Sequence, residues 1–135
     1  MGKAARGEGA AAVMPAHSLQ ALLLVALGGA LGSVARYLVS LAAMSMLGAG
    51  FPWGTLAVNL AGSAAIGLAA GAGLGSGAWL LAVTGFLGGF TTFSAFSLDA
   101  AALYQRSPAG ALLYVCASIV LGIAVCAACW WLARR

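Results

Sequence analysis

The sequence predicts an all-α membrane protein with four transmembrane helices, the third of which is broken. Of the 135 residues, 64% are hydrophobic and only 6% are charged, and the mean hydropathy is +1.08, whereas soluble domains carry about 25% charged residues. A bilayer core about 30 Å thick takes roughly 20 apolar residues to cross as a helix, so this length allows about four crossings. The expected break is a stretch rich in glycine, threonine and phenylalanine at residues 85–97.

Short turns rich in glycine, proline and serine separate the four predicted spans, which cover residues 18–47, 52–74, 77–104 and 109–132. Because the turns are short, we expect consecutive spans to lie antiparallel. Residues 1–17 are predicted to be a disordered tail, followed by one transmembrane domain at 18–135. A signal peptide is the alternative for the N-terminal region, but the first apolar run is far longer than the roughly 7–15 residues of a signal sequence.

The basic residues lie mostly outside the apolar spans. The net charge is +4, and Lys3, Arg6, Arg134 and Arg135 fall on the side of the termini, whereas Arg106 lies on the other side. This arrangement has no basic stripe of the kind that binds nucleic acid. By the charge rule for membrane proteins, it favours cytoplasmic termini.

Polar side chains inside the spans are functional candidates, because polar groups in hydrocarbon are costly unless they are paired or line an aqueous path. In the second span Thr55, Asn59 and Ser63 recur every four residues and share one helical face; Tyr114 and Ser118 repeat this spacing in the fourth span. Hydrogen bonds between helices, worth about 0.6 kcal/mol on average, are one explanation. The two donor hydrogens of the Asn59 amide favour the other explanation, an ion path.

Two charged residues fall within the apolar region, Arg36 and Asp99. Arginine keeps its proton, so Arg36 must reach the membrane surface, pair with an anion or face a water-filled vestibule. Asp99 is the only acidic residue of this region. It is either the salt-bridge partner of Arg36 or Arg106, or part of a transport path, and the sequence leaves both alternatives open.

The stretch at residues 85–97 is the most informative part of the chain. Adjacent glycines cost about 1 kcal/mol each relative to alanine in a helix, and the β-branched Thr91 and Thr92 weaken the helix further. Carbonyls freed at membrane depth must be buried in protein or line a cavity, and such oxygens suit a small cation. Phe93 and Phe96 follow on one face of the resumed helix, where their positive ring edges can either face an anion or pack.

Four motifs identify a family resemblance. They are Gly-Gly-Ala-Leu-Gly at 28–32 leading to Arg36 and Tyr37, Pro-Trp-Gly-Thr-Leu at 52–56 leading to Asn59, Thr-Gly-Phe-Leu-Gly-Gly at 84–89, and Thr-Thr-Phe-Ser-Ala-Phe-Ser at 91–97. Through them the chain resembles the Fluc (CrcB-type) fluoride channels over essentially its whole length after the tail. The last two motifs, close together in a four-helix chain of this size, are the most specific.

This resemblance implies an antiparallel, dual-topology homodimer with two anion pores. One structural sodium ion would lie at the centre, bound by the backbone carbonyls of Gly88 and Thr91 from both subunits. Phe93 and Phe96 would be the pore phenylalanines, crossed between subunits. Asn59 would donate a hydrogen bond to fluoride.

The resemblance also implies a polar track along each pore, formed by Thr55, Tyr114 and Ser118. Arg36 would lie toward the aqueous vestibule. The chain departs from the family pattern at two positions. Relatives often carry glutamate where this chain has Asp99, and they carry a further hydroxyl, which continues the track, where this chain has Gly122.

The sequence therefore predicts a passive, fluoride-selective channel of a prokaryotic inner membrane, and not an enzyme, that exports cytoplasmic fluoride and lowers its toxicity. The expected partners are fluoride, a second copy of the chain and membrane lipid, without nucleic acid. A proton-coupled small multidrug transporter is one alternative, but it needs a titratable carboxylate deep in a helix, and the first span has none. A helper subunit that only packs against partners is the other alternative, and it leaves the broken third span unexplained.

Overall fold

A computed structural model describes residues 18–135, in which all the regular secondary structure is helical. The predicted tail at 1–17 lies outside the described residues. The helices are α1 (Leu19–Leu47), α2 (Trp53–Ala72), α3 (76–90), α4 (Phe93–Arg106) and α5 (Pro108–Ala133). Together α3 and α4 make up the third span.

Among residues 18–135, four stretches are long and apolar enough to cross a membrane: Leu19–Leu47, Trp53–Ala72, Ser76–Arg106 and Pro108–Ala133. Each agrees with a predicted span to within two residues at either end. The prediction of four transmembrane helices is therefore confirmed, and the chain is a multi-pass membrane protein.

The helix ends follow from local sequence. Ser18 begins α1, and its hydroxyl accepts a hydrogen bond from the backbone N–H of Ala21 at 3.1 Å. Ser107 begins α5 in the same way, accepting from Gly110 N–H at 3.1 Å. Side-chain caps of this kind satisfy N–H groups that have no partner within the helix. Gly73 ends α2 in a left-handed conformation with φ 66°, which glycine adopts without steric cost.

The helices pack mainly as two pairs, α2 along α5 and α1 along α3, and α4 completes the bundle by packing on α5. Between α1 and α3 the two backbones touch. A Cβ atom built on Gly28 would lie 2.7 Å from the backbone nitrogen of Phe86, and one built on Gly85 would lie 2.9 Å from the Cα of Gly28. Only glycine permits this approach, in the manner of small-residue packing in membranes.

The third span departs from a regular helix at two places. Residues Leu80–Leu87 of α3 form a π-helix, a rare conformation that is frequently found at functional sites. The helix then ends at Phe90, and Thr91 and Thr92 are extended, with ψ of 158° and 121°. The predicted break is therefore present, but it follows the glycine pair, because Gly88 itself is helical.

Candidate functional site

Asn59 of α2 holds the break in the third span open. Its side-chain amide donates to Thr92 C=O at 3.0 Å, and its Oδ1 accepts from Thr92 N–H at 2.9 Å. The Thr92 hydroxyl accepts from Ala95 N–H at 3.1 Å and caps α4. One residue of α2 thus replaces the backbone hydrogen bonds that a continuous helix would have made.

These side-chain bonds leave two backbone carbonyls without their regular partners. In an α-helix the carbonyl of residue i accepts from the N–H of residue i+4. Thr92 N–H, the regular partner of Gly88 C=O, donates to Asn59, and Ala95 N–H, the regular partner of Thr91 C=O, donates to the Thr92 hydroxyl. Hard oxygen atoms freed in this way are suitable ligands for a small cation, so Gly88 and Thr91 fit the predicted sodium ligation.

Arg36 of α1 is attached to the same break. Its Nε donates to Gly89 C=O at 3.0 Å, and this carbonyl adjoins the Gly88 carbonyl in sequence. Asp99 instead accepts a hydrogen bond from the Thr55 hydroxyl at 2.5 Å. The described side chains therefore do not form the salt bridge between Asp99 and Arg36 that was one of the two alternatives.

A row of aromatic rings follows the break. Phe93 and Phe96 have ring centroids 5.7 Å apart, and Phe96 is followed by Tyr114 of α5 at 5.3 Å. Phe93 is 80% exposed on the single chain, whereas Phe96 is half-buried and Tyr114 is fully buried. The two phenylalanines therefore lie on one face of α4, and the first of them projects away from the rest of its own chain.

A groove of about 430 Å³ opens beside the break, between α2, α3, α4 and α5; we call it the central groove. Six of the predicted site residues line it: Asn59, Gly88, Thr91, Phe93, Phe96 and Ser118. A second cavity of about 240 Å³ lies nearer the N-terminal end of α2, and Thr55, Asp99 and Arg106 are among its lining residues.

Two buried hydroxyl groups lie near these cavities, and the ring of Tyr114 contacts Phe51 of the second cavity and Phe96 of the central groove. The side-chain oxygens of Tyr114 and Ser118 are buried, and neither makes a hydrogen bond of regular geometry among residues 18–135, although the Thr55 hydroxyl lies near that of Tyr114. They lie one turn apart on α5 and so share a face. Buried polar groups in proteins are nearly always paired, so an orphaned pair marks a place where water or an ion belongs.

A family comparison agrees with this geometry. The model of the family described as CrcB-like protein, Camphor Resistance (CrcB), matches residues 23–130. The chain belongs to the CrcB family. This confirms the resemblance drawn from the four sequence motifs.

Members of the CrcB family close to this chain carry the name fluoride-specific ion channel FluC. The protein of Agrobacterium fabrum (strain C58) is 51% identical over 109 residues, which cover 76% of this chain and 87% of that protein. The protein of Chelativorans sp. (strain BNC1) is 50% identical over 119 residues, covering 84% and 95%. The protein of Phenylobacterium zucineum is 48% identical over 124 residues, covering 87% and 98%. Membership of a family of ion channels also confirms that the chain is not an enzyme.

Within this CrcB chain, three further residues belong to the site; Ser63 and Asp99 were candidates without an assigned role, and Thr92 was expected only to weaken the helix. Thr92 caps α4 and binds Asn59. Asp99 accepts from Thr55, and its position two turns into an apolar segment was the available signal. Ser63 lines the central groove, and its hydroxyl would lie 3.5 Å from a Cβ atom built on Gly122. The Ser63 hydroxyl of α2 thus lies beside Gly122, the position at which the fourth span lacks the further hydroxyl of the family pattern.

Proposed function

We propose that the chain is a passive, fluoride-selective channel that exports fluoride across a prokaryotic inner membrane and so lowers fluoride toxicity. The observation that carries this proposal is the orphaned pair of hydroxyls, Tyr114 and Ser118, on the wall between the two cavities. Fluoride is a small, strongly accepting anion, and O–H and N–H donors can replace its hydration. The names of the CrcB relatives support the choice of fluoride.

The proposed path runs along donors that belong to different helices. Asn59 carries two amide hydrogens, of which one donates to Thr92 C=O, and the second is available to fluoride in the central groove. Ser118 and Tyr114 would continue the path, and the edges of Phe93 and Phe96 would contribute their positive rims. Narrowness of this path would exclude chloride.

The functional unit we propose is an antiparallel, dual-topology homodimer with two pores. The position of Phe93 agrees with this proposal: its ring is 80% exposed and borders the central groove, so we expect a second copy of the chain, rather than lipid, to cover it. Crossed rings from two subunits would then line each pore. The exposed position of Gly88 in the described chain agrees with a carbonyl that points toward a shared interface.

A structural sodium ion belongs to the same proposal. The carbonyls of Gly88 and Thr91 would bind it from both subunits, and the ion would supply a fixed positive charge that favours anions nearby. A ligand that binds only the folded dimer stabilises it by mass action. We therefore expect the purified dimer to unfold at a higher temperature in sodium chloride than in N-methyl-D-glucamine chloride of equal ionic strength. Identical unfolding temperatures would argue against a structural sodium ion.

The test of the channel function is fluoride efflux from liposomes, measured with a fluoride electrode. Purified protein is reconstituted with internal potassium fluoride, and valinomycin carries the compensating charge. A passive channel releases fluoride rapidly only when valinomycin is present, without any proton gradient. A proton-coupled transporter would require that gradient, and a helper subunit would release none. Absence of efflux from a well-folded dimer would refute the channel proposal.

A further inference from the structure

The second cavity, beside the N-terminal end of α2, contains two opposite charges that the proposed pore does not use. Its lining includes Thr55, Asp99 and Arg106, together with Ser40 and Phe51. We name it the entrance cavity. One carboxylate and one guanidinium group thus share the lining of this cavity.

The entrance cavity lies close to the buried hydroxyls of Tyr114 and Ser118. Phe51, which lines the cavity, contacts Tyr114 edge-on with ring centroids 5.5 Å apart. Tyr114 carries one of the orphaned hydroxyls, and Ser118, one turn further along α5, lines the central groove. Tyr114 thus lies between Phe51 of the cavity and Phe96 and Ser118 of the groove.

Asp99 opposes the approach of an anion to Thr55 in the entrance cavity. Its carboxylate accepts the hydrogen of the Thr55 hydroxyl at 2.5 Å, so the first donor of the track is already engaged. Its negative charge also lowers the local concentration of any anion, since the field of a charge in a cavity with apolar walls is poorly screened. An anion needs a compensating positive charge to reach Thr55.

Arg106 lies where such a charge is effective. It follows Asp99 by seven residues on α4, a rotation that is 20° short of two full turns of helix. Both side chains therefore start from the same face of α4, about 10 Å apart along the helix axis. Arg106 is exposed and ends α4, so it lies on the water side of Asp99. Arg36, by contrast, donates its Nε to the Gly89 carbonyl at the break.

We infer that the entrance cavity is the aqueous mouth of the anion path and that Arg106 is its anion-attracting residue, which offsets the charge of Asp99. This rests on the proposed channel function. With the weak screening of 0.01 M salt, a unit charge about 10 Å from an anion changes its occupancy by about twofold to tenfold for dielectric constants between about 80 and about 20. That effect depends on salt, because the Debye length falls from about 30 Å at 0.01 M to about 3 Å at 1 M.

The experiment compares single-channel conductance of wild-type protein, Arg106→Gln and Arg106→Lys in planar bilayers at 10 mM fluoride. We expect Arg106→Gln to conduct about two- to tenfold less than wild type, and Arg106→Lys to conduct like wild type. Adding 1 M salt of an impermeant anion should remove the difference. Arg134→Gln is the matched control, since it removes the same charge from the far end of α5 and should conduct normally.

The outcomes separate this inference from the function on which it rests. If wild-type protein carried no fluoride current, both the channel proposal and the inference that the entrance cavity is the mouth of its path would be overturned. A wild-type current together with an unchanged Arg106→Gln, or with a deficit that persists in 1 M salt, would overturn the role of Arg106 alone.

A second variant covers the case in which Arg106→Gln does not fold. Arg106→Cys is made in a chain whose three native cysteines are alanine, and it is reconstituted before modification. A positively charged thiol reagent should raise fluoride conductance at low salt, and a negatively charged one should lower it. Equal effects of the two reagents would overturn the inference.

Discussion

Replacing Tyr114 by phenylalanine should raise stability and lower fluoride flux at the same time. The tyrosine is fully buried, and its hydroxyl makes no hydrogen bond of regular geometry in the described part of the chain, although the Thr55 hydroxyl lies near it. Its ring contacts Phe96 and Phe51 at centroid distances of 5.3 Å and 5.5 Å. Phenylalanine keeps these ring contacts and removes only the hydroxyl, so Tyr114→Phe isolates the effect of one oxygen atom.

The two magnitudes follow from the state of that oxygen. A buried hydroxyl without a partner costs about 1–3 kcal/mol in desolvation, so its removal should raise the free energy of unfolding by about 1 kcal/mol. If the same hydroxyl donates to fluoride during permeation, its loss raises the barrier. A barrier increase of about 1.4 kcal/mol lowers flux tenfold, and we expect a decrease of this size.

Two assays on one preparation test the reasoning. Denaturant unfolding in detergent micelles gives the change in stability, and liposome efflux with a fluoride electrode gives the flux. Tyr104→Phe is the control, because Tyr104 is 59% exposed and should change neither quantity. A less stable Tyr114→Phe with normal flux would refute the reasoning, since it would show that the hydroxyl has a structural partner and no part in permeation.

Three further predictions concern the break and its packing. Phe93→Ile and Phe96→Ile should leave the dimer assembled in size-exclusion chromatography but lower fluoride flux at least about tenfold; normal flux in both would rule out a pore role for the rings. Asn59→Asp keeps the acceptor for Thr92 N–H but loses the amide hydrogens, including the one that binds Thr92 C=O. We expect a destabilised protein with strongly reduced flux, and unchanged flux in the folded fraction would remove Asn59 from the path. Gly32→Ala should destabilise the protein by about 1–3 kcal/mol, because its Cβ would overlap the backbone of α3. Gly50→Ala, in a turn with open space around the glycine, should unfold like wild type.

The sequence predicted the four spans well because membrane insertion depends on length and composition, which can be read directly. It also predicted that residues 85–97 interrupt the third span, since glycine and β-branched residues both disfavour helix. The position of the break within that stretch was not predictable in the same way. Gly88 and Gly89 remain helical, with Gly89 packed against Gly29, and the extended residues are Thr91 and Thr92, which depend on a side chain 33 positions away.

The polar residues of the candidate site were predictable as a set but not in their pairing. Four-residue spacing placed Thr55 and Asn59 on one face of α2, and both do line cavities. That Asn59 also binds the backbone of Thr92, and that Thr55 donates to Asp99, depends on how α2 packs beside the third span. The π-helix at Leu80–Leu87 had no sequence signal that we could identify.

The reversal potential of single channels in a planar bilayer tests the central claim most directly. With a tenfold fluoride gradient and equal chloride on both sides, a passive fluoride-selective channel should reverse at about 59 mV, the value for one elementary charge. A tenfold chloride gradient with equal fluoride should leave the reversal potential at zero. A potential that follows chloride or protons, or an electrically silent bilayer containing folded dimer, would contradict the account.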